Sequence, residues 1–140
     1  MSSPSIPASN MNRAVVAFLD GRRLKGYLFN FSALRESFHL FPDDKVQKEG
    51  GTDVQMKDLK AVFFVKDFKG NPEWQETASV HPQQHGRKIE ITFKDGETVT
   101  GTTEGYNPQK LGFFIFPGDA RSNNLRVFVV NKNVRQVKTF

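Results

Sequence analysis

Three histidines, two Asp-Gly pairs and one short run of cations are the residues of this 140-residue chain whose types and spacing could do chemistry. His81 and His85 have the i,i+4 spacing of a helical metal pair. Pro82 and Gly86 break the helix that would set both rings on one face, and no Cys or carboxylate stands close enough to complete a ligand set, so both read as loop residues. His39 falls in an expected strand where the second half of the chain has Phe114, and no nucleophile accompanies it. It reads as a packing position rather than a catalytic base. Asp20 and Asp95 invite comparison with an acid/base pair, yet each follows a strand-like run and directly precedes a glycine, Gly21 or Gly96. That is the chemistry of a tight hairpin turn. Asp43-Asp44 and Gly118-Asp119 lack the ligand density of a calcium loop, and none of the 11 glycines opens a helix in the manner of a phosphate-cradling loop. With no Cys, disulfides, thiol nucleophiles and cysteine-type zinc sites are excluded. No catalytic residue, metal ligand or cofactor is expected, and the chain reads as non-enzymatic.

The cations form the remaining candidate. Arg22, Arg23 and Lys25 lie beside Tyr27 and Phe29, and on a strand Arg23, Lys25, Tyr27 and Phe29 share one face. With Arg35, and with Arg121 and Arg126 from the second half, they would make a binding surface for single-stranded nucleic acid that stacks bases on aromatic rings. The matching positions of the second half are Thr98, Thr100, Thr102 and Glu104, so the cluster is not common to both halves. A solvated strand with Tyr27 and Phe29 covering a contact between the halves is the stronger reading. The formal charge of +5, from 20 Lys and Arg against 15 Asp and Glu, is spread along the chain. Such a surplus favours solubility more than any particular polyanion.

The elements that position these residues follow from an internal duplication. Val16 to Gly26 aligns without a gap on Ile91 to Gly101, seventy-five positions later, and the same offset carries Phe38 onto Phe113 and Leu40-Phe41-Pro42 onto Ile115-Phe116-Pro117. Each copy reads as five short strands. In the first they are Ala14 to Leu19, Arg22 to Phe31, Phe38 to Phe41, Thr52 to Lys57 and Leu59 to Val65. Gly26 and Gly101 stand inside the second strand of their copies, where a glycine marks a bend or a close backbone approach. The fold expected is mainly β, two tandem five-stranded SH3-like or Sm-like small barrels. Residues 1–12 form a flexible tail, 13–65 and 88–140 the barrels, and 66–87 a polar connector with a helical turn at Asn71-Pro72 that docks Trp74. Units of roughly 50 residues are near the lower limit for an independent core, so the two should pack together, and 14 Phe supply large buried area.

The segment Gly21-Arg22-Arg23-Leu24-Lys25-Gly26-Tyr27-Leu28 resembles the first signature of Sm-like proteins, and Val127 to Val134 resembles the second. The resemblance implies the barrel. It does not carry over the RNA pocket, because Ser32 and Asn107 replace the family's Asp, no Met-Asn follows either, and Lys57-Asp58 and Lys132-Asn133 replace its Arg-Gly. Beyond the tail, the whole chain also resembles a bacterial family of uncharacterised small domains, members of which stand beside PilZ modules. No Arg-x-x-x-Arg precedes Asn30 to Arg35, so cyclic dinucleotide is not expected as a ligand.

The apolar runs are too short to span a bilayer, and no signal peptide is evident, so a cytoplasmic protein with no membrane partner is expected. Small open barrels leave strand edges that pair with a neighbour. The function expected is therefore protein interaction or assembly, through an unknown partner or self-association. The last strands, Leu59 to Val65 and Val134 to Phe140, are the edges expected to do so, pairing either with the other copy in the same chain or between chains. Nucleic-acid binding is the alternative.

Overall fold

A computed structural model describes residues 12–29, 31–42, 51–68, 86–118 and 122–140. Residues 1–11 of the expected tail, the turn bearing Trp74, His81, His85 and Arg121 lie outside the described residues, while Asn12, the last residue of that tail, opens β1. Ten strands are formed among the described residues: β1 (Asn12–Phe18), β2 (Arg23–Leu28), β3 (Ser37–Leu40), β4 (Thr52–Gln55), β5 (Leu59–Val65), β6 (Arg87–Phe93), β7 (Thr98–Thr103), β8 (Gly112–Ile115), β9 (Asn124–Val130) and β10 (Val134–Thr139). Single 3-10 turns, Met56–Asp58 and Asn131–Asn133, lead into β5 and β10.

The protein is mainly β, built from three antiparallel sheets: β2-β1-β5-β9-β8, β10-β6-β7 and β3-β4. None closes into a barrel, and the largest draws strands from both halves of the chain, so the expected mainly β fold is present while the two tandem small barrels are not seen as distinct units. The physical reason lies at the two glycine bends. Past Gly26 the backbone turns, and a single bridge, Tyr27 to Phe41, links β2 to the segment ending β3; Thr102 to Phe116 does the same past Gly101. Full pairing stops at those corners. A Cβ on Gly26 would stand 2.6 Å from the Phe41 carbonyl oxygen, and one on Gly101 would strike that of Phe116, so only glycine admits these approaches.

The second strand also ends earlier than expected, at Leu28. Phe31 leaves the strand to pack edge-on against Phe38, Phe64 and Phe128, with ring centroids 5.2 to 5.4 Å apart. An interior aromatic cluster offers this ring more than a strand continuing into solvent would.

Strand β5 is the keystone. Its sequence, Leu-Lys-Ala-Val-Phe-Phe-Val, is buried at every position. Such a run has no face to give to solvent, so it lies between β1 and β9, hydrogen-bonded on both sides. The expected edge Leu59–Val65 is thus paired with the other half of the chain, through β9. Alternate β5 residues feed two cores. Val62 and Phe64 join Val16, Leu28, Leu40, Val54, Phe128 and Val130 in one; Ala61, Phe63 and Val65 join Ile89, Ile91, Phe93, Ile115 and Val129 in the other. Each core takes residues from both halves of the chain.

Counting the two bridges, the hydrogen-bonded neighbours form one continuous series: β4, β3, β2, β1, β5, β9, β8, β7, β6, β10. Strands β4 and β10 terminate it.

Candidate functional site

The two Asp-Gly hairpins have the same local construction. Asp20 accepts the Arg22 backbone N–H at 3.0 Å with Gly21 at φ 99°, and Asp95 accepts that of Glu97 at 3.0 Å with Gly96 at φ 94°. Asp95 does more. The ammonium of Lys60, whose side chain is only 4% exposed, reaches Asp95 at 2.6 Å and also bonds Glu97. Lys60 belongs to β5 in the first half, and both carboxylates flank a turn of the second. The bond from Lys60, with help from the Glu97 N–H, holds the Asp95 carboxyl below its ordinary range. Burial works to lower the pKa of Lys60, but bonds to the two carboxylates outweigh it and raise the value above normal. No motif flags Lys60. Its one signal in the sequence is a lone cation inside an otherwise apolar strand.

A second buried clamp across the halves is Asn133, whose amide donates to the carbonyls of Lys57 and Leu59 at 3.0 and 2.7 Å. Together, Lys60 and Asn133 fasten the start of β5 to the second half of the chain.

The cations of the expected nucleic-acid surface are dispersed into structural contacts. Arg22 pairs with Asp20 at 2.8 Å and covers the Phe18 ring; Arg23 pairs with Glu97 at 3.1 Å over Phe63. Lys25 donates to the Phe68 carbonyl, and Tyr27 stacks edge-on against the Phe68 ring. Arg126 lies over both Phe64 and Phe114 at 4.5 Å, and burial lowers its pKa. Arg35 is exposed on the turn before β3. His39 is exposed as well, its ring tilted against Phe41.

A cleft of about 470 Å³ opens between the halves, floored by Phe63, Val65 and Val127 and rimmed by Arg23, Glu97 and Asn124. Its two charged groups are spent on each other. Among the described residues, no group of three or more His, Cys, Asp or Glu could hold a metal ion, and no helix is long and apolar enough to cross a membrane.

The backbone offers more than the cleft does. Phe140 N–H donates to the Lys88 carbonyl, so on the alternating antiparallel ladder Lys138 and Gln136 face β6 while Val137 and Thr139 turn their N–H and C=O groups outward. Met56 N–H donates to the Glu36 carbonyl, so Thr52 and Val54 face β3 while Asp53 and Gln55 turn outward on β4. No described strand pairs with either outer edge.

Residues 10–140 match the model of a family of unknown function, DUF6982. The chain belongs to DUF6982. The match covers every strand of this DUF6982 protein, including both open edges. No curated protein and no solved structure matches it.

Proposed function

We propose that this DUF6982 protein is a non-enzymatic, cytoplasmic binding or regulatory module that acts through protein interaction or assembly. In this reading the chain is a duplicated pair of small, open, barrel-like units, and its two terminal strand edges are the working surfaces. One observation carries the proposal: the single series of ten described strands ends at β4 and β10, each with outward N–H and C=O groups and no described strand beside it. Backbone groups so arranged are a template for an added strand, which brings affinity from main-chain hydrogen bonds and selectivity from the alternating side chains. The seam between β5 and β9 supports the same view, since this chain already joins its halves by adding strand to strand. The nucleic-acid reading gains nothing from the cations, most of which are engaged with carboxylates, carbonyls or rings.

The test uses the full chain immobilised in a soluble bacterial extract, beside variants carrying proline at an outward edge position. Val137→Pro removes an outward donor from β10, and Asp53→Pro removes one from β4; proline is tolerated on an edge strand where its nitrogen faces solvent. Captured proteins are quantified by mass spectrometry. A partner held by the wild type and lost by at least one variant is expected. Capture unchanged in both variants, or no selective capture at all, sinks the proposal.

A further inference from the structure

The β5–β9 seam and the two open edges are related. Elements of the two halves lie seventy-five positions apart: β1 on β6, β2 on β7, β3 on β8, and the 3-10 turn Met56–Asp58 on Asn131–Asn133. In this correspondence the strand that enters the seam from the first half, β5, matches the open edge β10. The strand that enters from the second half, β9, matches the open edge β4. The chain therefore uses one of each kind of edge internally and, among the described residues, leaves one of each kind unpaired at the ends of the strand series.

The register agrees. Within the seam, Val62 stands opposite Phe128 and Ala61 opposite Val129. Carried to the open ends, these pairs become Val137 opposite Asp53 and Gln136 opposite Val54. Val137 and Asp53 are outward-facing residues of their own strands, as derived from the Phe140 and Met56 hydrogen bonds. The two edges are thus in phase, donor to acceptor, in the register that the chain already uses. Charge follows the same mapping, since Lys60 of the seam corresponds to Arg135, and its partner Asp95 corresponds to the exposed Asp20.

We infer that this chain associates head to tail with further copies of itself, β10 of one pairing antiparallel with β4 of the next. The inference rests on the edge-pairing reading above and names the occupant as a second copy. The contact is heterologous, so repetition gives a closed ring or an open filament. It is weaker than the internal seam for three reasons. The apolar seam residues are replaced by Thr52, Asp53, Gln136 and Lys138; Asp58 stands where Asn133 donates two hydrogen bonds; Arg22 stands where Glu97 accepts from Lys60. Association is accordingly reversible and concentration-dependent.

Sedimentation velocity on the purified full chain, from about 10 μM to about 1 mM, reads this directly. Wild-type mass is expected to rise above the monomer within that range. Val137→Pro and Asp53→Pro are each expected to remain monomeric alone, while their mixture forms a dimer and stops, because each variant keeps the edge that the other has lost. Circular dichroism checks that both fold. The paired change Arg22→Glu and Asp58→Asn rebuilds the seam's own contacts at the open end and is expected to lower the concentration needed by roughly tenfold, the effect of about one recovered hydrogen bond. A chain that stays monomeric in wild-type and rebuilt forms overturns the inference, and so does self-association that neither proline weakens. Association of Asp53→Pro alone, lost in Val137→Pro, also overturns it, since that marks a symmetric β10–β10 contact. Should every form be monomeric while the prolines still strip a captured partner from extract, the head-to-tail inference falls and the edge reading stands.

Discussion

Lys60 is a cation in an apolar strand that survives because the turn of the other half supplies its counter-charges. The arrangement is asymmetric. Its ammonium is nearly inaccessible, whereas Asp95 and Glu97 retain 26% and 35% exposure and can be hydrated if the cation is removed. Stranding a buried charge costs more than freeing an exposed one. Lys60→Met should therefore cost about 1 kcal/mol, and the double change Asp95→Asn with Glu97→Gln about 3 kcal/mol, compared by urea unfolding of the full chain. The reverse order would place the energy of the seam elsewhere. The pH dependence has a definite sign. Asp95 is held below its ordinary value of 3.8, so its stabilisation is complete above that value and lost as pH falls through the lower folded-state value. Lys60 is raised above 10.5, so its contribution is complete below that value and lost as pH rises through the folded-state value. Denaturation midpoints should accordingly decline below about pH 4, and Asp95→Asn should make that decline shallower.

The glycines of the first hairpin separate two kinds of structural demand at the scale of the element. Gly21 has φ 99° with nothing within 4 Å of a built Cβ, so Gly21→Ala meets backbone strain alone, about 1 kcal/mol. Gly26 has no such φ, but an added Cβ would meet the Phe41 carbonyl and the Leu40 side chain at 2.6 to 2.9 Å. Gly26→Ala must break the Tyr27–Phe41 bridge or part the strands, and should cost about 3 kcal/mol, visible as a larger fall in urea midpoint than Gly21→Ala gives. These local requirements were legible in the sequence, because Asp-Gly and a mid-strand glycine announce themselves at matching places. Strand positions were legible for the same reason, through alternation and turn residues. Which strand meets which was not. The central pairs of β5 with β9, Ala61–Val129, Val62–Phe128 and Phe63–Val127, join distant residues whose side chains are simply apolar, and an apolar run does not name its neighbour. Lys60 escaped for a related reason, since its counter-charges come from the other half and appear as turn residues when read locally.

Sharing of strands fixes how the whole molecule can be divided. Were the halves independent, each would keep its own core, and cutting between them would leave two folded pieces. Instead Phe128 and Val130 fill the core that holds Val16 and Leu28, while Ala17, Ala61, Phe63 and Val65 fill the core that holds Ile89 and Phe93. Separation would expose the whole β9 side of β5, and a half of about 55 residues has little surplus stability with which to tolerate that. A chain of residues 1–68 and one of residues 86–140 should each lack dispersed amide resonances and cooperative thermal unfolding when alone. Mixed, they should recover both, because the seam supplies the missing strand to each. Halves that fold separately and ignore one another would mean that β5 is stable as an open apolar edge. In that event β10 and β4, far more polar, would have little reason to seek a partner.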